Sequence, residues 1–105
     1  MKIKFEWFFE EEDLAKANES TVEDDIYGWV YAETDNDKYI IDIHKEYYSA
    51  SDCGFDLEVY TEAEGGGHGK WLGSIHDIRS AKVLKRFRSR AEKLLTKFIE
   101  EEEGE

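Results

Sequence analysis

Residues 55–62 alternate between apolar and polar side chains without a break. Phe55, Leu57 and Val59 stand against Asp56, Glu58, Tyr60 and Glu62. A period of two marks a half-buried strand, because successive side chains leave the pleat on opposite sides. Residues 39–47 repeat the pattern, with Tyr39, Ile41 and Ile43 opposite Asp42, His44 and Glu46. Before them, Asp35-Asn36-Asp37-Lys38 is turn chemistry. Residues 26–34, IYGWVYAET, are rich in β-branched and aromatic types, so 26–34 and 39–47 read as a hairpin. Tyr27, Trp29 and Tyr31 fall on one face of the first strand and Ile26, Gly28, Val30 and Ala32 on the other. Both faces are largely apolar, which suits a central strand. Ile3, Phe5, Trp7 and Phe9 alternate at the start of the chain. Residues 70–76 follow the glycine-rich loop AEGGGHG as a fifth strand.

After this the period changes. Leu84, Phe87, Ala91, Leu94 and Phe98 recur at steps of three and four, with Val83, Leu95 and Ile99 widening the stripe, which predicts a helix over 80–99. Asp77 or Ser80 is positioned to cap it. Residues 10–25 lose the strand period and read as a short helix or ordered loop. The expected fold is therefore α+β: a mostly antiparallel four- to five-stranded sheet, one long C-terminal helix packed on one face, and a short helix after strand 1. One domain is expected over 1–99. Residues 100–105, with five acids and no base, oppose the helix dipole and predict a flexible acidic tail.

Charge is distributed unevenly. Residues 1–69 carry 5 basic and 19 acidic side chains, residues 70–99 carry 9 and 2, and the whole chain has net charge −12. An acidic body disfavours nucleic acid or anionic lipid as a general surface partner and suits a basic protein. No run approaches the roughly 18 apolar residues that span a bilayer. The single Cys53 cannot close an internal disulfide and fits a reducing interior. With no secretory signal in sight, a cytoplasmic setting is expected and the Asn18-Glu19-Ser20 sequon reads as chance.

Catalytic and cofactor signatures are missing. His44, His68 and His76 are too scattered for a local ligand pair, and Cys53 has no partner at zinc spacing. The stretch DNDKYIIDIHKE has acids at positions one, three and twelve of a calcium loop but Ile40 where that loop needs glycine. In GGGHGK, Trp71 and a strand follow where a phosphate loop needs Ser or Thr and a helix. Cys53 with a histidine such as His44 is the one nucleophile–base pair that can be drawn. No metal, no cofactor and no enzymatic activity are expected.

The carboxylates are the remaining candidates. Residues i and i+2 of a strand lie about 6.6–6.8 Å apart on one face, and neighbouring strands roughly 4.8 Å apart. Asp56, Glu58 and Glu62, with Asp42 and Glu46 on an adjacent strand, form a grid of negative charge on the scale of nucleic-acid phosphates. Glu10, Glu11, Glu12 and Asp13, with Glu23, Asp24 and Asp25, extend it. In this reading the basic helix is an internal counterweight, its cations meeting carboxylates at the sheet rim. In composition alone the chain (small, acidic, proline-free, aromatic-rich) resembles the small inhibitors encoded by phages and mobile elements. These include anti-CRISPR and anti-restriction proteins, many of them DNA mimics. The expected function is an inhibitor that blocks the nucleic-acid site of a basic partner. The alternatives are an immunity protein against a nuclease toxin and a nucleic-acid-binding module using the C-terminal helix.

Overall fold

The computed structural model describes residues 2–19, 25–49, 52–79 and 83–104, with backbone alone for 25, 46–49, 52–53, 77 and 79. Five strands and two helices follow one another: β1 (Lys4–Phe8), α1 (Glu11–Glu19), β2 (Asp25–Glu33), β3 (Lys38–Ser49), β4 (Asp52–Glu62), β5 (His68–Arg79) and α2 (Leu84–Glu103). All pairings are antiparallel and the sheet order is β1-β2-β3-β4-β5, a meander. This is the α+β fold that the two periods predict, and the segment after strand 1 is a helix.

Both helices cover the same face. Ile41, Ile43, Leu57 and Val59 from the central strands join Leu14 and Ala17 of α1 and Phe87, Ala91, Leu95 and Ile99 of α2 in one core. Three rings meet at its centre: Phe9, Phe55 and Phe87 have centroids 5.0–6.0 Å apart in tilted or edge contacts. The buried line of α2 runs Leu84–Phe87–Ala91–Leu95–Ile99, so it is rotated from the expected stripe, and Val83 and Leu94 point outward.

The first turn of α1 gives its acids a structural role. Asp13 accepts from the Glu10 amide at 2.8 Å, half of a capping box, while Leu14 N–H closes on Glu10 O at 3.1 Å. Glu11, Glu12 and Asp13 also stand where the dipole favours negative charge. At the other end of α1 the fully buried Lys45 of β3 donates to the Ala17 carbonyl. That is the arrangement the dipole favours at a helix C-terminus.

Four details differ from expectation. β2 is a central strand, but its register with β3 shifts between Ile26 and Gly28. The shift turns Tyr27 toward the core and leaves Ile26 exposed, reversing their expected faces. β5 begins at His68, inside the expected loop, and the β4–β5 turn needs its glycines: Gly65 and Gly66 sit at φ 89° and 87°. The N-cap of α2 is Val83, with no side-chain cap, and Asp77 lies in β5. Ser80 lies outside the described residues. Finally, α2 continues to Glu103, so 100–103 are helix and not a frayed tail. No helix among the described residues is long and apolar enough to cross a membrane.

Candidate functional site

The expected acidic surface divides into two. Strand alternation puts Asp42, Asp56, Glu58 and Glu62 on the sheet face that carries no helix, because Ile41, Ile43, Leu57 and Val59 occupy the covered one. Glu10, Glu11, Glu12 and Asp13 open α1, which packs on the covered face. The two groups therefore lie on opposite sides of the sheet and do not form one grid. Asp25 and Glu46 hold strand positions opposite Lys45 and Gly54, and Glu23 and Asp24 lie outside the described residues.

The sheet grid itself is assembled as its spacing suggests, with Asp42 opposite Glu58 and Asp56 opposite His44 on adjacent strands. It is displayed to water only in part, since Asp42 is buried and Asp56, Glu58 and Glu62 are half-buried. His68 Nε2 lies 2.9 Å from Asp42 Oδ1, and His76 Nδ1 lies 3.3 Å from Asp56 Oδ2. Ser74 donates its hydroxyl to Glu58. Asp42 is only 6% exposed. The cause is the β4–β5 hairpin, whose end curls over the open face. His68 reaches back to Asp42, Tyr60 packs its ring edge-on to His68 at 4.6 Å, and the Tyr31 hydroxyl reaches the Gly66 carbonyl at 3.5 Å. Ile40 is buried beneath them, although it is on the helix-free side. Burial, and then the Asp42 and Glu58 charges, raise the Tyr60 phenol above its usual range. Like charges directly opposite each other destabilise a ladder. The histidines and Ser74 supply the compensating contacts, so these carboxylates hold the structure together.

Other acids are more exposed. At the end of the sheet where the β2–β3 turn lies, α2 brings in its C-terminus. Glu103 accepts from Thr34 Oγ1 at 2.7 Å, from Asn36 Nδ2 at 3.1 Å and from the Tyr39 hydroxyl. Burial opposes the Glu103 charge, but these three donors hold its carboxyl below the usual range. That anchor sets Asp35 and Asp37, which flank Asn36, near the helix end that carries Glu100, Glu101 and Glu102, and all five are exposed. Asp37 and Glu102 border one shallow groove with Tyr39 and Lys70. Glu33 and Glu62 border a second one round the edge with Lys4 and Lys38. Two segments far apart in sequence thus meet at one acidic pole. A run of acids that opposes the helix dipole does not disclose this pole, and the DNDK turn carries no sign of what packs against it.

The open face also carries rings. Phe8 and Trp29, each 41% exposed, stack at 5.7 Å with 19° between their planes, and Tyr31 meets Phe8 edge-on at 5.6 Å. Trp71, the register partner of Tyr60, is 54% exposed. The alternation Trp29–Val30–Tyr31–Ala32 contains this signal, since Trp29 and Tyr31 share one face, but a strand apolar on both sides does not disclose which face stays open.

The basic helix behaves as a counterweight at one residue in particular. Arg88 donates to the Phe9 carbonyl at 2.6 Å, lies 3.3 Å from Glu10 Oε2 and sits over the Trp7 ring at 5.4 Å. Lys85, Arg86, Lys93 and Lys97 are exposed and form no ion pair among the described residues. Tyr47, not His44, is the register partner of Cys53, which puts His44 three rungs away, about 10 Å along the strands. Among the described residues no three His, Cys, Asp or Glu side chains converge on a metal-sized site. Comparison of the chain with protein-family models, curated proteins and solved structures finds no match.

Proposed function

We propose that this chain is a small binding protein of the inhibitor type. It would occupy the nucleic-acid site of a basic, nucleic-acid-handling protein through its acidic pole and the adjoining open sheet face. The observation that supports this reading most is the anchoring of Glu103 at Thr34 and Asn36, which brings the exposed Asp35 and Asp37 to the helix end that carries the exposed Glu100, Glu101 and Glu102. An exposed carboxylate cluster held by a folded helix end presents charge without first having to be ordered, and preordering lowers the entropic cost of binding. Long-range attraction to a basic groove would steer association, and the exposed Phe8–Trp29 stack would supply the apolar contact that charge alone lacks. The surface differs from the one expected from sequence, since Asp42, Asp56 and Glu58 are engaged internally. An immunity protein against a nuclease would use the same surface.

A second reading has one observation in its favour: Lys85, Arg86, Lys93 and Lys97 of α2 are exposed and form no ion pair among the described residues. They are the right chemistry for a phosphate backbone. One experiment separates the two. The immobilised chain is used to capture proteins from lysate, and duplex DNA or RNA is then added. The first reading expects basic nucleic-acid-binding proteins to be captured and released by the competitor. Retention of labelled nucleic acid by the chain itself at low salt would favour the second. Captured proteins that nucleic acid does not displace would contradict the first.

A further inference from the structure

β1 is an edge strand. It pairs with β2 on one side, and among the described residues no backbone–backbone hydrogen bond joins it to another element. A free edge is a row of unsatisfied N–H and C=O groups, and proteins commonly blunt such edges with bulges or irregular backbone. β5, at the opposite edge, is blunted in this way: its pairing with β4 shifts register three times and Gly73 stands at φ 148°. β1 is not. Its register with β2 runs unbroken from Lys4 to Phe8.

We propose that β1 pairs with β1 of a second copy, antiparallel about a two-fold axis at Phe5, to give a continuous ten-stranded sheet. The strand is self-complementary in that register. Lys4 faces Glu6 of the second copy and Glu6 faces its Lys4, while Ile3 faces Trp7 and Phe5 faces Phe5. Lys4 and Glu6 are exposed on the open side, so they are free to pair across the axis. Ile3, Phe5 and Trp7 are half-buried on the helix side, and a second copy would cover what remains. Centring the axis on Lys4 or on Glu6 instead sets like charges against each other. Shifting the register by one residue sets the apolar row against the charged row. Phe5 also borders an open groove along α2, beside Lys85, Ser89 and Lys93, which leaves room for the second copy's aromatic row. The pairing is isologous, as in most soluble homodimers.

The test is a charge swap read by light scattering on size-exclusion chromatography and by sedimentation over a range of concentrations. The wild-type chain should have dimer mass at high concentration. Lys4→Glu alone and Glu6→Lys alone each place like charges across the axis and should weaken dimerisation about tenfold or more. The double variant Lys4→Glu/Glu6→Lys restores opposite charges and should recover it. Both positions are exposed, and circular dichroism is the check that each variant is folded. A wild-type chain that stays monomeric throughout overturns the proposal. So does a dimer indifferent to the single changes, or a double variant as weak as the singles.

Discussion

Glu103, in the last turn of α2, accepts a hydrogen bond from the hydroxyl of Tyr39 in β3, 64 positions earlier in the chain. The same carboxylate binds Thr34 and Asn36, so one side chain ties the helix end to the β2–β3 turn. Hydrogen bonds to charged groups contribute about 1.5–3 kcal/mol where well shielded, and this partly exposed site should give the lower end. Glu103→Gln should therefore lower stability by roughly 1–2 kcal/mol in chemical denaturation at pH 7. The carboxyl's pKa is lowered on folding, so its contribution is complete above about 4.3, the unfolded value, and fades as pH falls through the folded one. The gap between wild type and variant should close on acidification. A gap that persists at pH 2 would mean that the site acts by shape and not by charge.

The partner group gives the opposite pH dependence. Burial first, then the hydrogen bond to Glu103, push the Tyr39 phenol well above its usual value near 10. A raised folded pKa contributes stability that is complete below the unfolded pKa and lost as pH rises beyond it. Ultraviolet titration of wild type against Tyr39→Phe should show the missing phenol to be one that ionises only as the protein unfolds in alkali. If Tyr39 titrates near pH 10 in the folded protein, the anchor at Glu103 is not formed.

Gly28 sits where β2 shifts register against β3. A Cβ there would lie 2.6 Å from the Phe8 carbonyl and 2.8 Å from Cδ1 of Phe9. Both obstacles are packed, one of them backbone, so Gly28→Ala has to push β1 away from β2. We expect a loss of about 2 kcal/mol or more, on the scale of overpacking in a filled core. Amide exchange should rise first along β1. A loss of a few tenths of a kcal/mol would mean that β1 moves freely.

These sites show what was legible in the sequence. The clean alternation of Phe55, Leu57 and Val59 and the three-four spacing from Leu84 placed the strands and the helix, because local periodicity records which side is buried. Alternation assigns a residue to a face but does not say whether that face is covered. Asp42 looked solvent-facing, and only the curl of the β4–β5 hairpin, which brings His68 back across the sheet, buries it. The extra residue at Tyr27 reverses the faces of Ile26 and Tyr27 and leaves the alternation from Gly28 to Ala32 intact. The acidic pole depends on Glu103 meeting Thr34, Asn36 and Tyr39, an encounter between distant segments that no local pattern records.

For the same reason, charge reversal at Asp56 or Glu58 would not isolate binding, since each is engaged with His76 or Ser74. The pole gives a cleaner target. Asp35→Lys, Glu101→Lys and Glu102→Lys change exposed side chains with no hydrogen bond or ion pair among the described residues, and leave Glu103 and the Asp37 carboxylate, which accepts from the Lys38 amide, in place. The control is Lys85→Glu, Lys93→Glu and Lys97→Glu on α2. The decisive measurement is the association rate of each variant with a captured basic partner at two salt concentrations. Electrostatic steering acts mainly on association and is screened over a Debye length of about 8 Å at physiological ionic strength. The account predicts that the pole variant associates at least about tenfold more slowly at low salt, with a flattened salt dependence, while the helix variant stays close to wild type. A pole variant that associates as fast as wild type, with the same salt dependence, would contradict it.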